Sequence, residues 1–150
     1  SIALHDLPAH ALLQAYRQRT LSPVEVTQAV LAHIGRWEPH LHATWLLRPE
    51  LALAQARASE ARWLRGEPQG LLDGVPCTLK DNIATRGDAT PLGTAAVELF
   101  PAPDDAPPAA RLREAGAVLV AKTTMPDYGM LSSGLSSFHA LARNPWDLTK

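Results

Sequence analysis

The sequence predicts an α/β protein built on a mostly buried β-sheet, and three observations carry that reading. Helical stretches alternate with short apolar strands along the chain. One of those strands, residues 117–121, is an unbroken Ala-Val-Leu-Val-Ala run of the kind buried on both faces of a sheet. The helix boundaries are chemically marked: Ser22-Pro23-Val24-Glu25 combines a capping serine, a proline at the first helical position and a glutamate that closes a capping box.

Each element follows from its residues. A first helix spans residues 7–19, with Leu12, Leu13 and Tyr16 on its apolar side. The second begins at the capping box, and Val26, Val30, Ile34 and Trp37 recur at helical spacing before Pro39 is expected to stop it. Residues 43–47 can form a strand. Pro49 opens a third, alanine-rich helix that Gly66 ends, with Pro68 behind it. In residues 75–80, Val75, Cys77 and Leu79 alternate with Pro76, Thr78 and Lys80, the pattern of a strand that ends on a lysine. Beyond it lie an irregular stretch to Gly93, a short helix at 94–100, a proline-rich acidic connection, a helix at 109–115 stopped by Gly116, and the strand at 117–121. A helical turn near 125–130 leads into the hydroxyl-rich Leu131-Ser132-Ser133-Gly134-Leu135-Ser136-Ser137 loop and then Arg143-Asn144-Pro145-Trp146-Asp147.

Composition narrows the function. Apolar residues make up 46% of the 150 residues, enough for a real core. The net charge of −1 argues against nucleic acid or an anionic membrane as the main partner, since both require a basic face. A single cysteine excludes a disulfide framework and a cysteine-based zinc site. The six histidines lack metal-ligand spacing, so no metal and no cofactor is expected. No apolar run approaches membrane-spanning length and residues 1–15 lack a leader pattern, so the expectation is a cytoplasmic protein. Cys77 reads as a small core residue and the four tryptophans as packing anchors. Lys80 itself has two readings: a surface lysine at a strand end, or an amine held in a dry setting that lowers its pKa and makes it a base at neutral pH.

Three segments bear on that choice: Gly74-Val75-Pro76 followed by Lys80-Asp81-Asn82; the run from Ala110 to Met125 through Glu114-Ala115-Gly116-Ala117 and Lys122-Thr123-Thr124; and Ser132-Ser133 with Ser137 and Arg143-Asn144-Pro145-Trp146-Asp147. Their order and spacing resemble the amidase signature family of serine amide hydrolases, over roughly residues 20–150. The resemblance implies the N-terminal portion of a single amidase signature domain, a mixed β-sheet core flanked by helices, with residues 1–70 as a helical layer and residues 71–150 as the start of the sheet core. It implies a Ser-cisSer-Lys triad in which Lys80 is the general base, while the bridging serine and the nucleophile lie beyond Lys150. Ser132 and Ser133 match a hydroxyl pair near the acyl site, as substrate-binding candidates beside the plain reading of a solvated loop. Met130 and Leu131 are expected in core packing, Lys122 in a structural role, and Asp81 and Asn82 as ties to the loop that follows. Asn144 is expected to order its turn. Where relatives often read Phe-Gly-Pro, this chain has His139-Ala140-Leu141-Ala142.

The resemblance implies hydrolysis of a linear, non-peptide carboxylic amide, with a small-molecule amide as partner. Dimers are common in the family, which makes a homodimer compatible with it. Two other readings stand beside this one: the glutaminase subunit of a glutamine-dependent tRNA amidotransferase, and a non-catalytic fragment that requires a complementary chain. The 150 residues alone are expected to hydrolyse nothing.

Overall fold

The structure, a computed structural model, describes residues 2–150; Ser1, the first position of the stretch checked for a leader, lies outside the described residues. The elements run α1 (Ala9–Gln18), α2 (Pro23–Leu41), β1 (Thr44–Trp45), α3 (Pro49–Arg65), β2 (Pro76–Lys80), α4 (Pro107–Glu114) and β3 (Val118–Thr123), with 3₁₀ turns at Leu4–Asp6 and Asp127–Gly129. The strands form one sheet in the order β1-β3-β2. β1 pairs antiparallel with β3, Thr44 opposite Thr123 and Trp45 opposite Lys122. The Val118 amide donates to the Val75 carbonyl and the Asp81 amide to the Thr123 carbonyl. Both strands therefore rise in the same direction, and the sheet is mixed, as expected from the sequence.

The chain divides into two compact units. The first comprises residues up to Gly35, Arg48–Cys77 and Arg111–Val120; the second comprises Arg36–Leu47, Thr78–Ala110 and Ala121–Lys150. Strands β2 and β3 each begin in the first and finish in the second.

In the first unit, the helices bury their apolar stripes in two clusters. Leu12 and Tyr16 of α1 meet Val26 and Trp63. Ala52 and Ala56 of α3 lie against Val118 and Val120 of β3, with Val24, Leu31 and Ile34 of α2 packed beside them. Alanines on α3 let the helix approach the strand closely, and Val118 loses all its exposure in return. The capping box forms as expected: the Ser22 amide donates to Glu25 Oε2 at 2.8 Å and the Glu25 amide to Ser22 Oγ at 3.2 Å. Replacing Ser22 with alanine should cost about 1 kcal/mol, read as a small fall in denaturation midpoint.

Polar anchors fasten the loop before β2. Arg62 Nε and Nη2 donate to both oxygens of the fully buried Asp73 carboxylate at 2.8 and 2.6 Å, and the Gln69 amide donates to the same group at 2.6 Å. Trp63 Nε1 donates to the Asp73 carbonyl and the Tyr16 hydroxyl to the Gly74 carbonyl. Burial alone would push the Asp73 carboxyl up, but the bonds from Arg62 and Gln69 outweigh it and hold the carboxyl below the usual range. A depressed folded value stabilises the fold above the unfolded carboxylate pKa, and that stability disappears as pH falls through the lower folded value. Acid titration should therefore show stability falling from about pH 4 downward, with less of that loss in Asp73→Asn. Gly116, at φ +83°, ends α4 where an added Cβ would sit 2.8 Å from the Asp73 Cα, so only glycine fits.

Several expectations are corrected. Pro39 does not stop α2, which continues to Leu41. It sits in the last turn, where its missing N–H removes only one bond, and the Glu38 carboxylate receives the amides of Ala43 and Thr44 just beyond. The strand expected at 43–47 is only two residues long because Leu46 turns left-handed at φ +53°. No helix forms at 94–100. There the Ala96 amide donates to Thr94 Oγ1 and the Ala95 amide to Ser137 Oγ. Met130 and Leu131 are exposed, not core, and Trp146 is 94% exposed rather than a packing anchor.

Candidate active site

All three sequence-derived site residues, Lys80, Ser132 and Ser133, belong to the second unit. Lys80 closes β2. Pleating turns Leu79 inward and leaves Lys80 exposed, so the desolvated setting expected for its amine is not what the structure shows. Among the described residues no hydrogen bond or ion pair engages its ammonium, and none joins it to Ser132 or Ser133. Both serines are exposed on the 131–137 loop. Ser133 Oγ accepts the Leu135 amide at 3.3 Å, a bond local to the loop.

Asp81 follows Lys80 and takes the opposite side. It is completely buried. Its Oδ1 accepts the Leu92 amide at 2.8 Å, and its Oδ2 accepts the Gly93 amide at 2.9 Å and His139 Nε2 at 2.5 Å. Asp81 thus ties the following loop, as expected, through these three donors. Asn82 takes no part in that tie, contrary to expectation. It is exposed, and no side-chain bond of it is found among the described residues.

The buried lysine of this unit is Lys122, 3% exposed at the end of β3. Its Nζ donates to the Ile83 carbonyl at 2.6 Å. Burial lowers its pKa, and the carboxylates of Asp81 and Asp88 partly restore it. Lys122 therefore pins the residues just after Lys80, the structural role anticipated for it.

The loop that carries Ser132 and Ser133 is anchored by its other serines. Ser136 Oγ donates to the Gly93 carbonyl at 2.6 Å and accepts the amides of Phe138 and His139. Ser137 Oγ bonds Asp127 Oδ2 at 2.5 Å, while the Ser137 amide donates to Asp127 Oδ1. These bonds hold the Asp127 carboxyl below its usual range. The Asn144 side chain accepts the Trp146 amide at 2.9 Å, ordering its turn as expected. Sequence reasoning did not assign Ser136, Ser137, Asp127 or His139. The legible signal was the replacement of Phe-Gly-Pro by a histidine-bearing segment.

No helix among the described residues is long and apolar enough to cross a membrane. No group of three or more potential metal ligands occurs among them.

Known proteins resemble the chain over most of its length. The amidase family model matches residues 25–150. The chain is 40% identical over 129 residues to the A subunit of glutamyl-tRNA(Gln) amidotransferase from Trichormus variabilis, covering 86% of this chain and 26% of that protein. It is 40% identical over 147 residues to the corresponding protein of Chloroflexus aurantiacus, covering 98% of this chain and 30% of that protein. Among solved structures, the peptide amidase of Stenotrophomonas maltophilia superposes with a TM-score of 0.82 at 32% identity, over 99% of this chain and 31% of that one. The chain spans less than a third of the length of these relatives.

Proposed function

Because this chain belongs to the amidase family, we propose that Lys80 is the general base of a Ser-cisSer-Lys triad that hydrolyses a carboxylic amide in the full-length protein. The observation that carries the reading is the division of labour at the end of β2. Lys80 stands uncommitted, while the neighbouring carboxylate of Asp81 is buried on the other side and saturated by three donors. A carboxylate facing the amine would favour its charged form; Asp81 is engaged elsewhere.

The chemistry runs through hydroxyls. Neutral Lys80 takes the proton of a bridging serine, which takes that of the nucleophilic serine as it attacks the carbonyl carbon. The relay reversed delivers a proton to the departing amine. The relatives are much longer than this chain, and the reading requires the remaining length to supply both serines, oxyanion donors and the cover that dries Lys80. Ser132 and Ser133 are the proposed substrate contacts, since both hydroxyls face outward from an anchored loop.

A second reading is favoured by the names of the curated relatives, amidotransferase subunits at 40% identity: a glutaminase that passes ammonia to a partner. Assay of the full-length protein on simple linear amides and on glutamine, with and without co-purified subunits, separates the two. Turnover of linear amides by the isolated protein supports the first. Glutamine hydrolysis that depends on a partner supports the second, and no amide hydrolysis under either condition contradicts both.

A further inference from the structure

The His139 ring is almost wholly buried and aimed at Asp81. A carboxylate only accepts, so Nε2 carries the hydrogen of that bond. The bond closes a circuit. His139 Nε2 donates to Asp81 Oδ2, which also accepts the Gly93 amide. The Gly93 carbonyl accepts the Ser136 hydroxyl, and Ser136 Oγ accepts the His139 amide at 2.9 Å.

We infer that His139 is a positioning residue: by closing this circuit it fixes Asp81, and through Asp81 the end of β2 that bears Lys80, relative to the serine loop. The inference rests on the reading of Lys80 as the base. Three features make the circuit stiff. The His139 ring packs against Trp45 and Phe138, with centroids 5.5 and 4.9 Å away, so it has no free rotamer. Gly93 is closely packed: at φ +64°, an added Cβ would collide with the Pro126 carbonyl oxygen, so only glycine fits. Residues 81 and 83 are held by main-chain and lysine contacts, the Asp81 amide to the Thr123 carbonyl and Lys122 Nζ to the Ile83 carbonyl. The circuit therefore transmits to the residue directly before Asp81 instead of dissipating in a loose loop. An aromatic ring at 139 would fill the same space but leave a buried carboxylate one donor short.

The test compares His139→Phe with His139→Gln in the full-length protein, and adds Ser136→Ala as a milder break in the same circuit should the first variant fail to fold. In His139→Phe, hydrogen exchange at the Leu92 and Gly93 amides should quicken by roughly tenfold. Amide-hydrolysis kcat should fall about 10- to 100-fold with KM within about threefold, because the group that moves is the base and not a substrate contact. Glutamine, which keeps a donor, should recover most of kcat, and Ser136→Ala should move both readouts in the same direction. Unchanged exchange in His139→Phe and in Ser136→Ala would overturn the inference, as would quickened exchange with kcat intact. Lys80→Ala is assayed in parallel: if it retains turnover, the reading of Lys80 fails whatever the exchange data show.

Discussion

Lys80→Ala in the full-length protein should lower amide-hydrolysis kcat by about 100- to 10,000-fold, the range that general-base removal spans. The fold should barely respond. The Lys80 amine makes no polar contact among the described residues, so its removal leaves no partner there unsatisfied. That split between activity and stability separates a catalytic amine from the surface reading open in the sequence. Lys122→Met is the control. Lys122 is the buried lysine and its amine is committed to the Ile83 carbonyl, so its loss should reduce stability while kcat per folded molecule stays within about tenfold. If Lys122→Met abolishes turnover and Lys80→Ala does not, the base has been assigned to the wrong strand.

The largest stability effect should come from Asp73→Ala, which breaks the Arg62 pair on its buried side. Arg62 would keep its charge while losing both of its acceptors, and the Gln69 amide would lose its own. Removal of one partner from a buried pair costs about 3–5 kcal/mol, a large share of the ~5–15 kcal/mol by which domains are stable. Urea unfolding should show the midpoint fall with m unchanged. Replacing both residues with apolar ones should cost less than Asp73→Ala alone, because no uncompensated charge remains. A double change as costly as or costlier than the single one would show that the pair contributes net stability and does more than satisfy itself.

How much of this was legible in the sequence depends on the range of the interaction. Helices α1, α2 and α3 could be read because their signals are local: a capping box within four residues, apolar spacing, and Gly66 in the left-handed conformation that ends α3. The strand at 118–123 could be read because its first four residues are an unbroken apolar run, largely buried on both faces. The irregular course of 94–100 could not, since one of the groups bonded to it is Ser137, over forty residues away. Lys80 and Lys122 look alike in sequence, each following an apolar strand. Only the pleat and the position of the Ile83 carbonyl make one exposed and the other buried. The circuit through Asp81, Gly93, Ser136 and His139 joins residues up to 58 apart and leaves no periodic trace.

The amine itself can be removed and rebuilt. Lys80→Cys in the full-length protein, followed by alkylation with 2-bromoethylamine, installs a thioether analogue of lysine at the same position, with alkylated wild type correcting for Cys77. Amide hydrolysis lost in the cysteine variant and largely restored by alkylation is the expected result. Turnover in the unalkylated variant close to wild type, or no recovery once the amine is back in a folded protein, would contradict the assignment of Lys80 as the base.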